Sequence, residues 1–315
     1  MNQQTAMNQV KQYLREYGIL LAFALIFISL SVLSPAFMTT RNILNVLDQS
    51  AQVGLVALGA TMTIIGGGFD LSTGAIFALA GTTAAYVANL GYPILGLFVG
   101  VFIGLILGVI NGSLIATLNL NSFVTTLASG LIFRGGAFIV TAGLLIQVDS
   151  ELFEFLGRGR FLGAKIPVYV FLALTLIFAL FLSRSILGRY IFALGGNEEA
   201  ARLSGIRTNR IRILTFALSG FCAGLAGVIA ASRISTGQAN IGNGIELSAI
   251  AAVVIGGTSI LGGEGAVWRT FVGVVLLQMI SNGFNILNVP PFYQLVFQGG
   301  IIMFAITLDA LRHRG

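Results

Sequence analysis

The chain has 315 residues, 56% of them hydrophobic and only 9% charged, with a mean hydropathy of +0.95. A soluble domain carries about 25% charged residues, so this sequence lacks the polar surface to cover a water-soluble globule. It reads as an all-α membrane protein. The net charge of +6 comes mostly from arginines set between apolar runs, which favours topogenic charge over nucleic-acid binding. A transmembrane helix takes about 20 apolar residues, so the length accommodates about ten spans and excludes a large appended catalytic or nucleotide-binding domain. The single Cys222 rules out an intrachain disulfide and reads as a small buried apolar residue.

In chain order the apolar runs are Gly18–Ser34, Ile43–Ile65, Leu71–Leu90, Ile94–Leu118, Phe123–Thr141, Pro167–Ser183, Ile213–Ala231, Leu247–Leu261, Thr270–Leu287 and Phe292–Leu308. The first follows Lys11 and Arg15 without a cleavage site behind it, and reads as an uncleaved span with the N-terminus in the cytoplasm. An even number of spans then returns the C-terminus to the same side. The layout is a cytoplasmic segment 1–17, a transmembrane domain 18–309 with an external loop 142–166 and a cytoplasmic loop 184–212, and a cytoplasmic tail 310–315. All five prolines fall at run edges, where the missing N–H costs least. Leu247–Leu261 is short, and either extends outward from Ile241 or is partly re-entrant.

Charge supports this topology independently. Lys11, Arg15, Arg184, Arg189, Arg202, Arg207, Arg210, Arg212, Arg269, Arg312 and Arg314 lie on the inner side. Arg41, Arg158, Arg160, Lys165 and Arg233 lie outside and Arg134 lies within a span, which accounts for all 17 basic residues. The excess is positive inside.

Gly96, Gly100, Gly104, Gly108 and Gly112 recur every fourth residue. On a helix they form a ridge without side chains, suited to close packing against a neighbour where lipid supplies no hydrophobic drive. Gly220, Gly224, Gly227 and Ala231 form a second such stripe. The stretch Gly66-Gly67-Gly68-Phe69-Asp70-Leu71-Ser72-Thr73-Gly74 interrupts an apolar region, with Asp70 or Ser72 as a candidate N-cap for the following helix. It is either a turn at the cytoplasmic interface or a break that lines a path. Gly256-Gly257-Thr258-Ser259 echoes it weakly.

Ionisable residues within spans are scarce, and charge in a bilayer is costly and usually functional. Arg134 stands inside a span, where it either serves a path or snorkels outward; Asp48, Asp70 and Glu246 lie near span ends. The amides Asn111, Gln278, Asn282, Asn285 and Gln294 either meet a hydroxylated solute or join helices to one another. With Phe69, Asp70 and Arg134, the first four of these amides make up the candidate path or gate.

In the cytoplasmic loop, Gly195-Gly196-Asn197 predicts a turn, and Asn197 caps a short helix with Glu198 and Glu199 in its first turn. Gly205 ends it. Two turns are too few for independent stability, so such a helix needs a surface to dock on. Lys11 and Lys165 are the only lysines and neither lies in a P-loop, so the chain is not expected to hydrolyse ATP. No nucleophile elbow or metal motif is present, and the lone His313 lies in the tail.

Ala193–Ile206 (ALGGNEEAARLSGI), Gly67–Gly74 (GGFDLSTG), Glu246–Gly265 (ELSAIAAVVIGGTSILGGEG) and Phe292–Gln294 (FYQ) together resemble the permease subunits of ribose-type sugar ABC importers. The resemblance implies about ten helices per subunit and an import function. It implies that Gly195, Gly196, Asn197, Glu198, Glu199, Ala201, Arg202, Leu203, Ser204 and Gly205 form a coupling helix that docks on a partner ATPase. It further implies two permease subunits, ATP and Mg used by the ATPase and not by this chain, an external sugar-binding protein, and residence in a bacterial inner membrane. Ser248 stands where the family often has Asp, Ala239 where it often has Pro, and Pro290-Pro291 where serines are common, so ribose itself is not implied. The rival reading is a single-chain secondary transporter. It would place coupling carboxylates at mid-membrane, and candidates for those are few.

Overall fold

The computed structural model describes residues 3–290, 292–297, 299, 300, 303 and 307, with side chains from Gly18 onward. The chain begins with α1 (Gln3–Leu33), α2 (Thr40–Ile65), α3 (Thr73–Asn89), α4 (Pro93–Leu118) and α5 (Ser122–Thr141). A connecting region follows, with β1 (Ile146–Gln147), α6 (Glu151–Arg158), β2 (Arg160–Phe161) and β3 (Ala164–Lys165). Then come α7 (Ile166–Arg184), α8 (Ile186–Gly196), α9 (Glu198–Leu203), α10 (Thr208–Ile234), β4 (Thr236–Gly237), α11 (Ile245–Ile255) and α12 (Val267–Ile286). Residues 292–297, 299 and 300 are helical too.

Among the described residues, six helices (α2, α4, α5, α7, α10 and α12) are long and apolar enough to cross a membrane, with shorter apolar helices at Gly18–Leu33, Ile186–Gly196 and Ile245–Ile255. Pro93 and Pro167 occupy the first turns of α4 and α7, where a missing N–H breaks no ladder bond. The expected run Phe292–Leu308 lies partly, and the tail 310–315 wholly, outside the described residues.

The centre of the bundle is α2 and α10, most of whose residues are buried. Leu55, Leu58, Met62, Phe171 and Ile229 belong to their shared core. Helix α4 covers one flank and explains its own sequence. Its five ridge glycines are all buried, whereas Phe98, Phe102, Ile106 and Ile110 on other faces are exposed. A Cβ added at Gly104 would come within 2.6 Å of Gly220 O and Gly224 Cα of α10, and one at Gly100 within 2.6 Å of Ala80 O of α3. The two small-residue stripes thus meet backbone to backbone, and the large outward side chains of α4 are left for lipid.

At one end, α6 is fastened to the last turn of α10. Gly157 N–H donates to Ser232 Oγ (2.7 Å), Ser232 Oγ–H to Phe153 O (2.5 Å), and Arg158 Nε–H to Arg233 O (2.7 Å). Ser235 Oγ–H donates to Glu154 Oε1 (2.6 Å). Ser235 and Arg158 together hold the Glu154 carboxyl below the usual carboxylate range, the Ser235 hydrogen bond contributing most. The ribbons β1–β4 (Ile146↔Gly237) and β2–β3 (Arg160↔Lys165) are antiparallel. Arg158, Arg160, Lys165, Arg233 and Arg41 gather at this end: Arg41, Arg160 and Lys165 share one pocket, and Arg233 reaches Asp48 on its wall.

Three local expectations are corrected. Gly195 and Gly196 do not form a turn; they are the last residues of α8, and the chain bends at Asn197 (φ −160°). Neither Asp70 nor Ser72 caps α3 with its side chain, because Asp70 Oδ1 instead receives Ser72 N–H (3.1 Å) and Ser72 Oγ–H (2.5 Å). The short run at Leu247–Leu261 is helical from Ile245 to Ile255 only, and its outward extension from Ile241 to Gly244 is turn, not helix.

Candidate translocation cavity and docking helix

Helix α9 is built by local rules. Asn197 Oδ1 accepts Ala200 N–H (2.9 Å), and Glu198 and Glu199 lie in the first turn, where the helix dipole favours negative charge. Gly205 (φ +83°) and Ile206 close the C-terminus, with Gly205 N–H on Arg202 O (3.0 Å) and Ile206 N–H on Ala201 O (3.1 Å). Ala201 is buried, and Glu198 pairs with Arg212 of α10 (2.5 Å). Glu199 clasps Arg202 (2.8 Å) and raises its pKa, chiefly through that hydrogen bond. Leu203, 79% exposed, is an apolar side chain offered outward beside Arg202 and Ser204.

Behind α9 three segments meet with almost no side chain between them. Gly195 lies directly on Ile65 O, where a Cβ would overlap the carbonyl. Gly263 N–H donates to that same oxygen (2.9 Å), and a Cβ on Gly262 would stand 2.9 Å from Gly195 O and 3.0 Å from Gly67 Cα. The α8 terminus, the α2 terminus and the α11–α12 loop are therefore one backbone-to-backbone joint. The sequence echo is structural as well. Gly66, Gly67 and Gly68 bond back to Met62, Ile64 and Thr63, and Gly256, Gly257 and Thr258 bond back to Ala252, Val254 and Val253 in the same pattern.

The Gly66–Gly74 break is buried among helices. Asp70 Oδ2 accepts Ser219 Oγ–H of α10 (2.7 Å), Asn111 Nδ2–H of α4 donates to Ser72 Oγ (2.8 Å), and Phe69 N–H donates to Ser122 Oγ of α5 (3.1 Å). Asn111 stands seven residues before the end of α4 and Ser219 eleven after the start of α10, about 10 and 16 Å along their axes at 1.5 Å per residue. Irregular backbone at that depth needs such partners. Phe69, Asp70 and Asn111 thus come together as a polar lock.

Arg134 has another position. Its Nη1 donates to Ala239 O (2.7 Å) and Ile241 O (2.8 Å), pinning the non-helical leg between β4 and α11 to α5. Glu246, in the first turn of α11, is the acidic group whose charge Arg134 feels, and its Oε2 is buried without a hydrogen bond.

A cavity of about 310 Å³ lies where α2, α11, α12 and residues 294–297 converge. Val53, Ser248, Gln278, Ser281, Phe284, Gln294 and Phe297 are among its lining residues, and the rings of Phe284 and Phe297 meet edge to face at 5.1 Å. Amide and hydroxyl groups beside aromatic rings suit a small hydroxylated solute: the polar groups exchange hydrogen bonds and the rings cover its C–H faces. Of the candidate path residues, Gln278 lines this cavity. Asn285 supports it from behind, its Oδ1 accepting Gln294 Nε2–H (3.0 Å). Asn282 is elsewhere, in a reciprocal amide pair with Asn42 (3.0 and 2.9 Å). Ser281 and the two phenylalanines were not singled out from sequence; the usable signal was Ser281 three residues after Gln278, on a neighbouring helical position.

Helices of membrane-crossing length and apolarity packed around a polar cavity are the features of a membrane-embedded transport protein. The family model described as branched-chain amino acid transport system / permease component matches residues 42–306, and the chain belongs to that family. The ribose import permease protein RbsC of Escherichia coli (strain K12) is 37% identical over 304 residues, 95% of either chain. RbsC of Bacillus subtilis (strain 168) is 41% identical over 299 residues, 94% of this chain and 93% of the relative. The L-arabinose transport system permease protein AraH of E. coli (strain K12) is 39% identical over 300 residues, 95% and 92%. No solved structure matches the chain.

Proposed function

We propose that this chain is the path-forming subunit of an ABC importer for a pentose, hexose or related small carbohydrate, without ATPase activity of its own. The observation that carries the reading is α9, a short, capped and largely exposed helix in a chain whose relatives are named ribose and L-arabinose permeases. Two ATPase subunits using ATP and Mg, a second permease and an external sugar-binding protein complete the assembly in the inner membrane. The chain passes the membrane ten times. The passes are α1 from Gly18, α2 to α5, α7, α10, the extended leg with α11, α12, and the segment from Phe292. Both termini lie on the α9 side.

Force applied at α9 reaches the cavity through the glycine joint. Helix α8 bears on Ile65 of α2 through Gly195, and Ile65 O is hydrogen-bonded to the loop joining α11 to α12. Those three helices carry Val53, Ser248 and Gln278 on the cavity wall. A displacement of α9 therefore moves the wall without passing through soft side chains. Family membership removes the footing of the single-chain secondary transporter.

Copurification of the tagged chain in mild detergent, followed by an ATPase assay, tests the reading. A retained P-loop ATPase that is lost with Gly205→Trp is expected. An ATPase-free chain that carries sugar alone in liposomes would refute it.

A further inference from the structure

Two cavities near the α6 end share a wall and differ in chemistry. One, about 310 Å³, is lined by Leu20, Phe23 and Phe27 of α1, Val46 of α2, and Val275 and Met279 of α12, with Asn42 at its polar edge. The other, about 590 Å³, is lined by Arg41, Asn42, Asn45, Asp48, Arg160 and Lys165 among others. Asn42 stands in both, and its amide pair with Asn282 fixes the common wall between α2 and α12.

Charge around the polar cavity is unbalanced. Asp48 Oδ2 is shared by Lys165 (2.7 Å) and Arg233 (3.0 Å), so the one carboxylate there is already taken up by two cations. Arg41 and Arg160 are exposed and have no ion pair among the described residues. Ile43, which lines the apolar cavity, is 39% exposed, and Leu33 (63%) and Met38 (51%), on the α1–α2 connection and its flank, are exposed too, so apolar surface suited to a bilayer adjoins the cationic cavity in the chain.

We infer that these two adjoining cavities bind one anionic phospholipid, which passes over Asn42 from one to the other. Its phosphate lies at Arg41 and Arg160, where charge-assisted hydrogen bonds to an anion are strongest. One acyl chain runs down the apolar cavity between α1, α2 and α12. A free phosphate would leave the apolar cavity unfilled, and a neutral lipid would leave the two arginines unanswered. The lipid joins α1 to α2 and α12, two of the helices that carry the cavity wall.

The test uses the purified full chain in detergent, titrated with phosphatidylglycerol, with phosphatidylcholine of the same chains, or with glycerol phosphate. Lipid retention is read by native mass spectrometry and the melting midpoint by thermal unfolding. Phosphatidylglycerol binds about tenfold tighter than phosphatidylcholine and raises the midpoint by several degrees. The preference disappears in the double variant Arg41→Gln/Arg160→Gln and persists in Arg189→Gln, which removes a cation at the other end. Ile43→Trp, at the lip of the apolar cavity, lowers retention with both arginines intact. Equal affinity for the two lipids, a preference that survives the double variant, or undiminished retention in Ile43→Trp would overturn the assignment. A response to glycerol phosphate equal to that of the lipid would assign the pocket to a free anion instead.

Discussion

Glycine does opposite work in two regions of this molecule. Along the α4–α10 seam it sits in regular helix, and the missing Cβ lets two long backbones touch over several turns. At the α9 end, Gly67, Gly262 and Gly263 have positive φ (+77°, +88° and +73°), and they end segments instead of continuing them. The seam spreads its contacts over many residues and is suited to stay fixed. The joint concentrates three segments on one carbonyl, Ile65 O, and is suited to pass a displacement on.

The seam gives the largest expected effect. Gly104→Leu forces side-chain volume against Gly220 and Gly224 backbone, at about 3 kcal/mol or more. The folded chain is then lost from the membrane fraction, as seen by fluorescence-detected size exclusion. A normal elution profile would mean that the seam is slack.

Glu199→Arg in α9 leaves folding intact, since Glu199 is exposed and pairs only with Arg202 among the described residues. It is expected to abolish uptake in cells while membrane insertion continues. Unchanged uptake at equal expression would remove α9 from the coupling path.

Gln278→Ala has a smaller effect. Removing one cavity hydrogen bond of about 1 kcal/mol raises the KM for sugar uptake about fivefold, with ATP hydrolysis unaltered. Asn282→Ala serves as the contrast, lowering the melting midpoint through loss of the Asn42 pair, with KM unchanged.

The smallest effect is at α6. Because the Glu154 carboxyl is held below its ordinary range, its clamp is fully present above the unfolded carboxylate pKa. The clamp is lost as pH falls through the depressed folded value. Amide exchange of α6 accelerates over that acid window, and Glu154→Gln removes the pH dependence.

Legibility in the sequence followed the range of the interactions. The α4 ridge declares itself by its spacing, and α9 by a cap, two acids and a closing glycine, because those rules act within a few residues. Gly195 and Gly196 suggest a turn because sequence does not distinguish a glycine that bends the chain from one that admits a neighbouring carbonyl. Gln278 and Asn282, four residues apart, look alike until α2 brings Asn42 to one of them and leaves the other on a cavity. The clamp on α6 and the Arg134 tether join residues about 75 and 105 positions apart, and nothing local announces them.

The most direct test of the coupling path is Gly195→Ala in the reconstituted complex with its ATPase and binding protein, reading ATP hydrolysis and sugar uptake in the same vesicles. A methyl group there presses on Ile65 O and should disconnect α8 from α2. Hydrolysis is predicted to continue near the parent rate while uptake falls about tenfold or more, with Gly196→Ala, where a Cβ meets nothing within 4 Å, behaving as parent. Uptake and hydrolysis that stay in proportion in Gly195→Ala would contradict the account.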